Sequence, residues 1–313
     1  MDYIRTDLAV EANEAKAKEQ EIPGISVQER SENFDILITD VKVENAEGEK
    51  AIGKAIGTYI TVDSSAIKNR YAKAEEHVIK VLAEEIKKLM QGKEEQGVLV
   101  VGLGNRSITP DALGPNVCDK TYISRHMKIF APDQMDERIN EVSAIAPGVL
   151  GITGLETGEV IKGIVDKTKP GVVIAIDSLA SRKLDRISTT FQLTDSGISP
   201  GSGIGNKRKA LNEKELGVPV IAMGVPLVVY AATIAGDLIE ETVLKEGKEN
   251  DEQARKMFEK VIEGIMNVNG AEMVVTPKEI DIIVEDCGRV IASAINIAVN
   301  DGLSLDDVNK LMH

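Results

Sequence analysis

The chain has 313 residues, 42% of them hydrophobic, enough for a substantial core and consistent with one α/β domain carrying elaborations. Aromatic residues are only 3% and Trp is absent, so that core must be aliphatic. A formal net charge of −14, two distant cysteines and no apolar run near the about 20 residues that span a bilayer argue against direct nucleic-acid binding, a disulfide scaffold and a membrane span.

Residues 1–30 are polar and read as an extension that packs on something else. The opening "MDYIRTDLAVEANEAKAKEQ" lacks a basic start and an unbroken apolar stretch, so it is not read as a signal peptide, and a cytoplasmic protein is expected. "FDILITDVKVE" (34–44) alternates and predicts a strand; "GTYITVDS" (57–64) predicts a second, with a glycine-rich connection. Together they suggest a hairpin-like subregion over about 30–64. Over 68–91, Val78, Val81, Leu82, Ile86 and Leu89 recur at helical spacing and predict a long amphipathic helix.

Residues 98–103 predict a buried strand, and another is expected around 142–146. A helix follows, stopped by Pro170 and Gly171. "GVVIAIDS" (171–178) is almost wholly apolar, as a central parallel strand covered on both faces would be. "VPVIAMGVP" (218–226) is one more, expected to lead into an apolar helix over 227–244. The last third, about 250–313, reads as helical, with Thr276 as N-cap and Pro277 at the first helical position of the final long helix. Strand and helix alternate from 68 to 245, which predicts a three-layer α/β/α fold with a mostly parallel central sheet.

The turn "GLGN" after the first central strand could cradle a phosphate. The dinucleotide fingerprint needs a third glycine where Ser107 stands, and the phosphate-loop lysine is absent, so a nucleotide-binding module is the minor alternative. What stands out instead is two aspartates. Asp111 lies just beyond one strand end and Asp177 closes another, and in open α/β sheets sites form at the carboxyl ends of strands. A strand-end aspartate often caps a turn, but six aliphatic residues leading straight to Asp177 bring a charge close to the core, which is costly unless it is paired or used. The loop "TDSGISPGSGIGNKRK" (194–209) reads either as a mobile surface loop or as a substrate-contact loop in which Lys207 and Arg208 offer positive charge. The histidines, His77, His126 and His313, show no metal-ligand spacing. There is no G-x-S-x-G elbow and no cysteine in a nucleophile motif. Carboxylates are the chemistry that remains.

"RTDLAVEA", "GLGN", "TPDALGP", "AIAPGVLGITGLET", "IAIDSLA", "DSGISPGSGIGNKRK" and "VTPKEID" together resemble the germination proteases of spore-forming bacteria, over residues 4 to about 300. The resemblance implies a self-processing zymogen that cleaves small acid-soluble spore proteins in the spore core and assembles as a homotetramer. It places self-cleavage between Asp7 and Leu8, with Asp7, Leu8, Ala9 and Glu11 mimicking the substrate, residues 1–7 as propeptide and 8–313 as the protease domain. It puts the essential acids at Asp111 and Asp177. A distant similarity to the nickel-hydrogenase maturation endopeptidases rests on Gly102, Gly104, Asn105, Asp111 and Gly114, with Asp177 as the second acid. Those enzymes supply a metal-binding histidine at a later strand. "VIAMGVP" has none, so no metal or other cofactor is expected, and a metal-dependent maturation-type endopeptidase remains an alternative.

An isolated aspartate ionises near ~3.9, and two in close contact cannot easily both be charged. A pair sharing one proton would supply a base for water and an acid that polarises the scissile carbonyl, with Gly102, Gly104 and Asn105 lending backbone N–H groups to the oxyanion.

Overall fold

The structure, a computed structural model, describes residues 5–17, 22–65, 67, 71–199, 210–245, 260, 264, 273–300 and 302–311. Its strands are β1 (Ile25–Glu32), β2 (Ile36–Val43), β3 (Gly57–Asp63), β4 (Val98–Gly102), β5 (Val142–Ile145), β6 (Val172–Ser181), β7 (Thr190–Thr194), β8 (Val220–Tyr230) and β9 (Val274–Val275). They form a single sheet in the order β1-β2-β3-β7-β8-β6-β4-β5, with β9 pairing the end of β8.

The β8-β6-β4-β5 half is parallel. Residues 172–176 of β6 are all buried because helices cover both faces there, as the unbroken apolar run predicts. The other half, β1-β2-β3-β7, is antiparallel and joins β8 through β7. The expected strand subregion therefore continues the central sheet.

Three layers result. On one face, α3 (Ala72–Met90), α4 (Leu113–Lys120) and the helix Ile280–Val299 pack on Ile36, Ile38, Val62, Val100, Ile174 and Ile176. On the other, Thr157–Thr168 and Glu213–Leu216 cover Leu99, Val101, Val173 and Ala175. Beside them, α1 (Ala9–Ala17) and α2 (Ala46–Ile52) sit over Val41, Val43, Tyr59 and Leu179. None of the helices among the described residues is long and apolar enough to cross a membrane.

Several local expectations change. The described part of residues 1–30 is more than an extension. Leu8, Ala9 and Val10 are core residues, and "ISVQERSE" forms the edge strand β1, whose mostly exposed side chains explain its polar reading. The expected 227–244 helix begins only at Ala231, because Leu227–Tyr230 finish β8 and pair with β6 and β9. Thr276 is not the N-cap of the last long helix. Its hydroxyl donates to the Leu227 carbonyl at 2.8 Å, and the helix starts at Ile280. Lys207 and Arg208, and most of the helix expected from about 250, lie outside the described residues.

Candidate active site at the strand ends

β4 stops at Gly102, and the chain turns while still held to its neighbour: the Leu103 N–H donates to the Ile176 carbonyl at 2.8 Å. This lays the turn against the end of β6, one residue before Asp177. Gly104 has φ +108°, the region that favours glycine, and a Cβ there would stand 2.0 Å from the Asp111 carbonyl oxygen. The approach of Gly102 to the first turn of α4 is equally close, since a Cβ on Gly102 would meet the Gly114 carbonyl oxygen at 2.2 Å.

Thr109–Asp111 make a single 3-10 turn, which brings the Asp111 carboxylate back so that its Oδ2 accepts the Asn105 N–H at 2.8 Å. The Asn105 amide is thus committed to Asp111. Gly104 and Asn105 lie against Asp111, and the Asn105 N–H, one of the turn's N–H groups expected to serve an oxyanion, is taken by its carboxylate. A Gly104→Ala chain should be strained at a positive φ and displace Asp111. The strain should appear as a lowered melting temperature, read by circular dichroism.

Asp177 accepts the N–H of Ser178 at 2.9 Å. Its place in the sheet matters more. Thr61 of β3 is opposite Gln192 of β7, Gln192 is opposite Gly224 of β8, and Gly224 is opposite Asp177 of β6. Residues paired in register share a sheet face, and Gly224 puts no side chain between its neighbours. Gln192 and Asp177 therefore flank a strand position with no side chain of its own, two strand spacings or about 10 Å apart, over which the Leu179 side chain leans. A Cβ on Gly224 would stand 2.5 Å from the Asp177 carbonyl oxygen. Asp7, Lys54, Asp111, Asp177, Gln192 and Gly224 all line one cavity of about 650 Å³.

The N-terminal segment enters that cavity. The Asp7 N–H donates to the Ala180 carbonyl at 2.9 Å, and Asp7 Oδ2 accepts the Ala180 N–H at 2.8 Å. Leu8 is fully buried. Glu11, 1% exposed, accepts the N–H groups of Arg182 (2.6 Å) and Lys183 (3.0 Å), bonds the Thr6 hydroxyl and lies 3.6 Å from Arg186 Nε. The Asp7 carbonyl oxygen accepts Lys54 Nζ at 2.9 Å and Gln192 Nε2 at 3.1 Å. The sequence reading missed Lys54 and Gln192. The available signal was one polar side chain between Phe191 and Leu193, in a segment not read as a strand.

Burial pushes both thiols, Cys118 and Cys287, up to about 12, so neither supplies a ready thiolate. Among the described residues no group of three His, Cys, Asp or Glu side chains could hold a metal ion.

Residues 4–259 match the profile of a family described as germination protease. The chain is 50% identical to the germination protease of Caldanaerobacter subterraneus subsp. tengcongensis, with 99% of this chain and 98% of that relative covered. It is 44% identical to that of Clostridium tetani (99% and 99%) and 38% identical to that of Bacillus mycoides (99% and 97%). Among solved structures, the [NiFe] hydrogenase maturation protease HycI from Thermococcus kodakarensis KOD1 matches at 15% identity and TM-score 0.29, covering 46% of this chain and 80% of that one.

Proposed function

The chain belongs to the germination protease family, and from that premise we propose that it is an endopeptidase that first cuts itself between Asp7 and Leu8 and then degrades small acid-soluble spore proteins, with Asp111 and Asp177 as its catalytic pair. The observation that carries this reading is that Asp7 lines the same cavity as the two carboxylates.

In this mechanism the pair holds one proton between them. The ionised member takes a proton from water as the water oxygen bonds to the Asp7 carbonyl carbon. The protonated member gives its proton to the Leu8 nitrogen as the C–N bond breaks. The pair ends as it began, with one proton, ready for another turn. Residues 1–7 are then a propeptide, residues 8–313 the working protease, and the assembly a homotetramer, as the resemblance implies. The commitment of the Asn105 N–H to Asp111 counts against a phosphate cradle.

Incubation of the full chain should yield a new N-terminus at Leu8, read by sequencing or intact mass. The processed protein should cut an added peptide "IRTDLAVEANE" at the same bond, with strong chelators present or absent. No cut at Asp7–Leu8 would overturn the reading; loss of both cuts in chelator alone would replace it with the metal-dependent alternative.

A further inference from the structure

Besides the Thr6 carbonyl, which Lys54 Nζ reaches at 3.2 Å, the carbonyl of the bond proposed to be cut takes side-chain donors of its own. Lys54 Nζ donates to it at 2.9 Å and Gln192 Nε2 at 3.1 Å, from two different parts of the fold. Lys54 stands just past α2, whose C-cap Gly53 takes φ +67°; that left-handed exit turns the chain toward Asp7. Gln192 comes from the middle of β7 and is 7% exposed.

The orientation of the Gln192 amide is fixed by its surroundings. Its Oε1 accepts the Ala9 N–H at 2.6 Å, so its NH₂ must face the Asp7 carbonyl. One side chain therefore grips the backbone on both sides of the Asp7–Leu8 bond. The register adds the next step, because Gln192 shares its sheet face and transverse row with Asp177, across Gly224. The gripped carbonyl is thereby held at the row that ends in a candidate catalytic acid.

From this geometry we infer that Lys54 and Gln192 are further catalytic residues: they bind the carbonyl oxygen of the scissile bond and stabilise the charge that develops on it when water adds. The inference rests on the reading of Asp7–Leu8 as the cut bond. It gives the pair of aspartates a narrower task. With the carbonyl polarised by its own donors, the protonated carboxyl serves only the leaving nitrogen. Desolvation lowers the Lys54 pKa, opposed by the nearby Asp7 and Glu11 carboxylates, and the amino group is a donor whether charged or neutral. A substrate chain laid in the same place would present its own carbonyl to the same two donors.

Removing one donor to a developing oxyanion costs about 10²–10³-fold in rate. In the full chain, Lys54→Met and Gln192→Glu should each slow the appearance of Leu8 as N-terminus by that factor. Gln192→Glu is nearly isosteric: it keeps an acceptor for the Ala9 N–H and removes the donor to Asp7. Lys54→Arg, which restores donors, should recover part of the lost rate. An Arg-specific protease cutting after Arg5 reports whether the segment has come loose. Slower self-cleavage with unchanged cutting after Arg5 is the expected result. Slower self-cleavage matched by faster cutting after Arg5 would make the pair a mere tether and overturn the inference, as would an unchanged self-cleavage rate in both variants. The underlying reading fails separately, if the unsubstituted chain does not cut at Asp7–Leu8 or if Asp177→Asn still does.

Discussion

Asp111→Asn and Asp177→Asn should each abolish both self-cleavage and peptide cleavage while leaving the sheet intact. Asparagine has the size of aspartate and keeps an oxygen acceptor. The Asn105 N–H, which Asp111 Oδ2 now takes at 2.8 Å, and the Ser178 N–H, which Asp177 Oδ1 takes at 2.9 Å, would both stay satisfied. What is lost is the ability to take or give a proton. Positioned acid–base groups contribute about 10²–10⁴-fold, so each variant should fall by at least that order. In the proposed mechanism the two act on the same proton and the same water, so their effects should not add. The double variant should be little worse than either single one, as is usual for groups that work as a unit. The rate of appearance of Leu8, followed by intact mass, measures the first activity, and release of peptide fragments the second. Full activity in either single variant would remove the pair.

The parts of this site legible in the sequence are those whose setting is local. β4, β6 and β8 are buried on both faces, so they appear as short aliphatic runs, and a carboxylate ending one of them, Asp177, stands out against it. The glycines before Asp111 are legible for the same reason: a tight turn after a buried strand leaves a local mark. Gln192 and Lys54 are not legible, because their meaning depends on strand order. β7 is five residues long, and "TFQLT" resembles many solvated segments until β3 and β8 are known to flank it. Lys54 sits in a glycine-rich connection that reads as surface, and its partner, the Asp7 carbonyl, is 47 residues away. The N-terminal segment misled for a related reason. Glu11 looks like a solvated charge in sequence, whereas the fold buries it on the Arg182 and Lys183 amides, with the Arg186 guanidinium nearby. A polar residue with buried, specific partners looks the same in one dimension as a polar residue in water.

Removal of residues 1–7 should abolish latency. In the full chain Asp7 is tied to Ala180 through two hydrogen bonds, and its carbonyl is held by Lys54 and Gln192, so the ground proposed for a substrate peptide is taken. A short tether keeps such a segment at an effective concentration on the order of millimolar. A free substrate at micromolar concentration competes at a disadvantage of about 10³-fold, and the full chain should begin with a lag in peptide cleavage. Once the Asp7–Leu8 bond is cut, the tether is gone. The released segment is then only as concentrated as the protein itself, and dilution frees the part of the cavity that residues 1–7 held. A chain starting at Leu8 should cut peptide from the first time point, while the full chain should accelerate in step with the loss of its first seven residues. Free "MDYIRTD" added at millimolar concentration should bring the inhibition back, because it restores what the tether supplied. Equal initial rates in the two chains would show that the segment does not block the cavity, even if Asp111 and Asp177 proved essential.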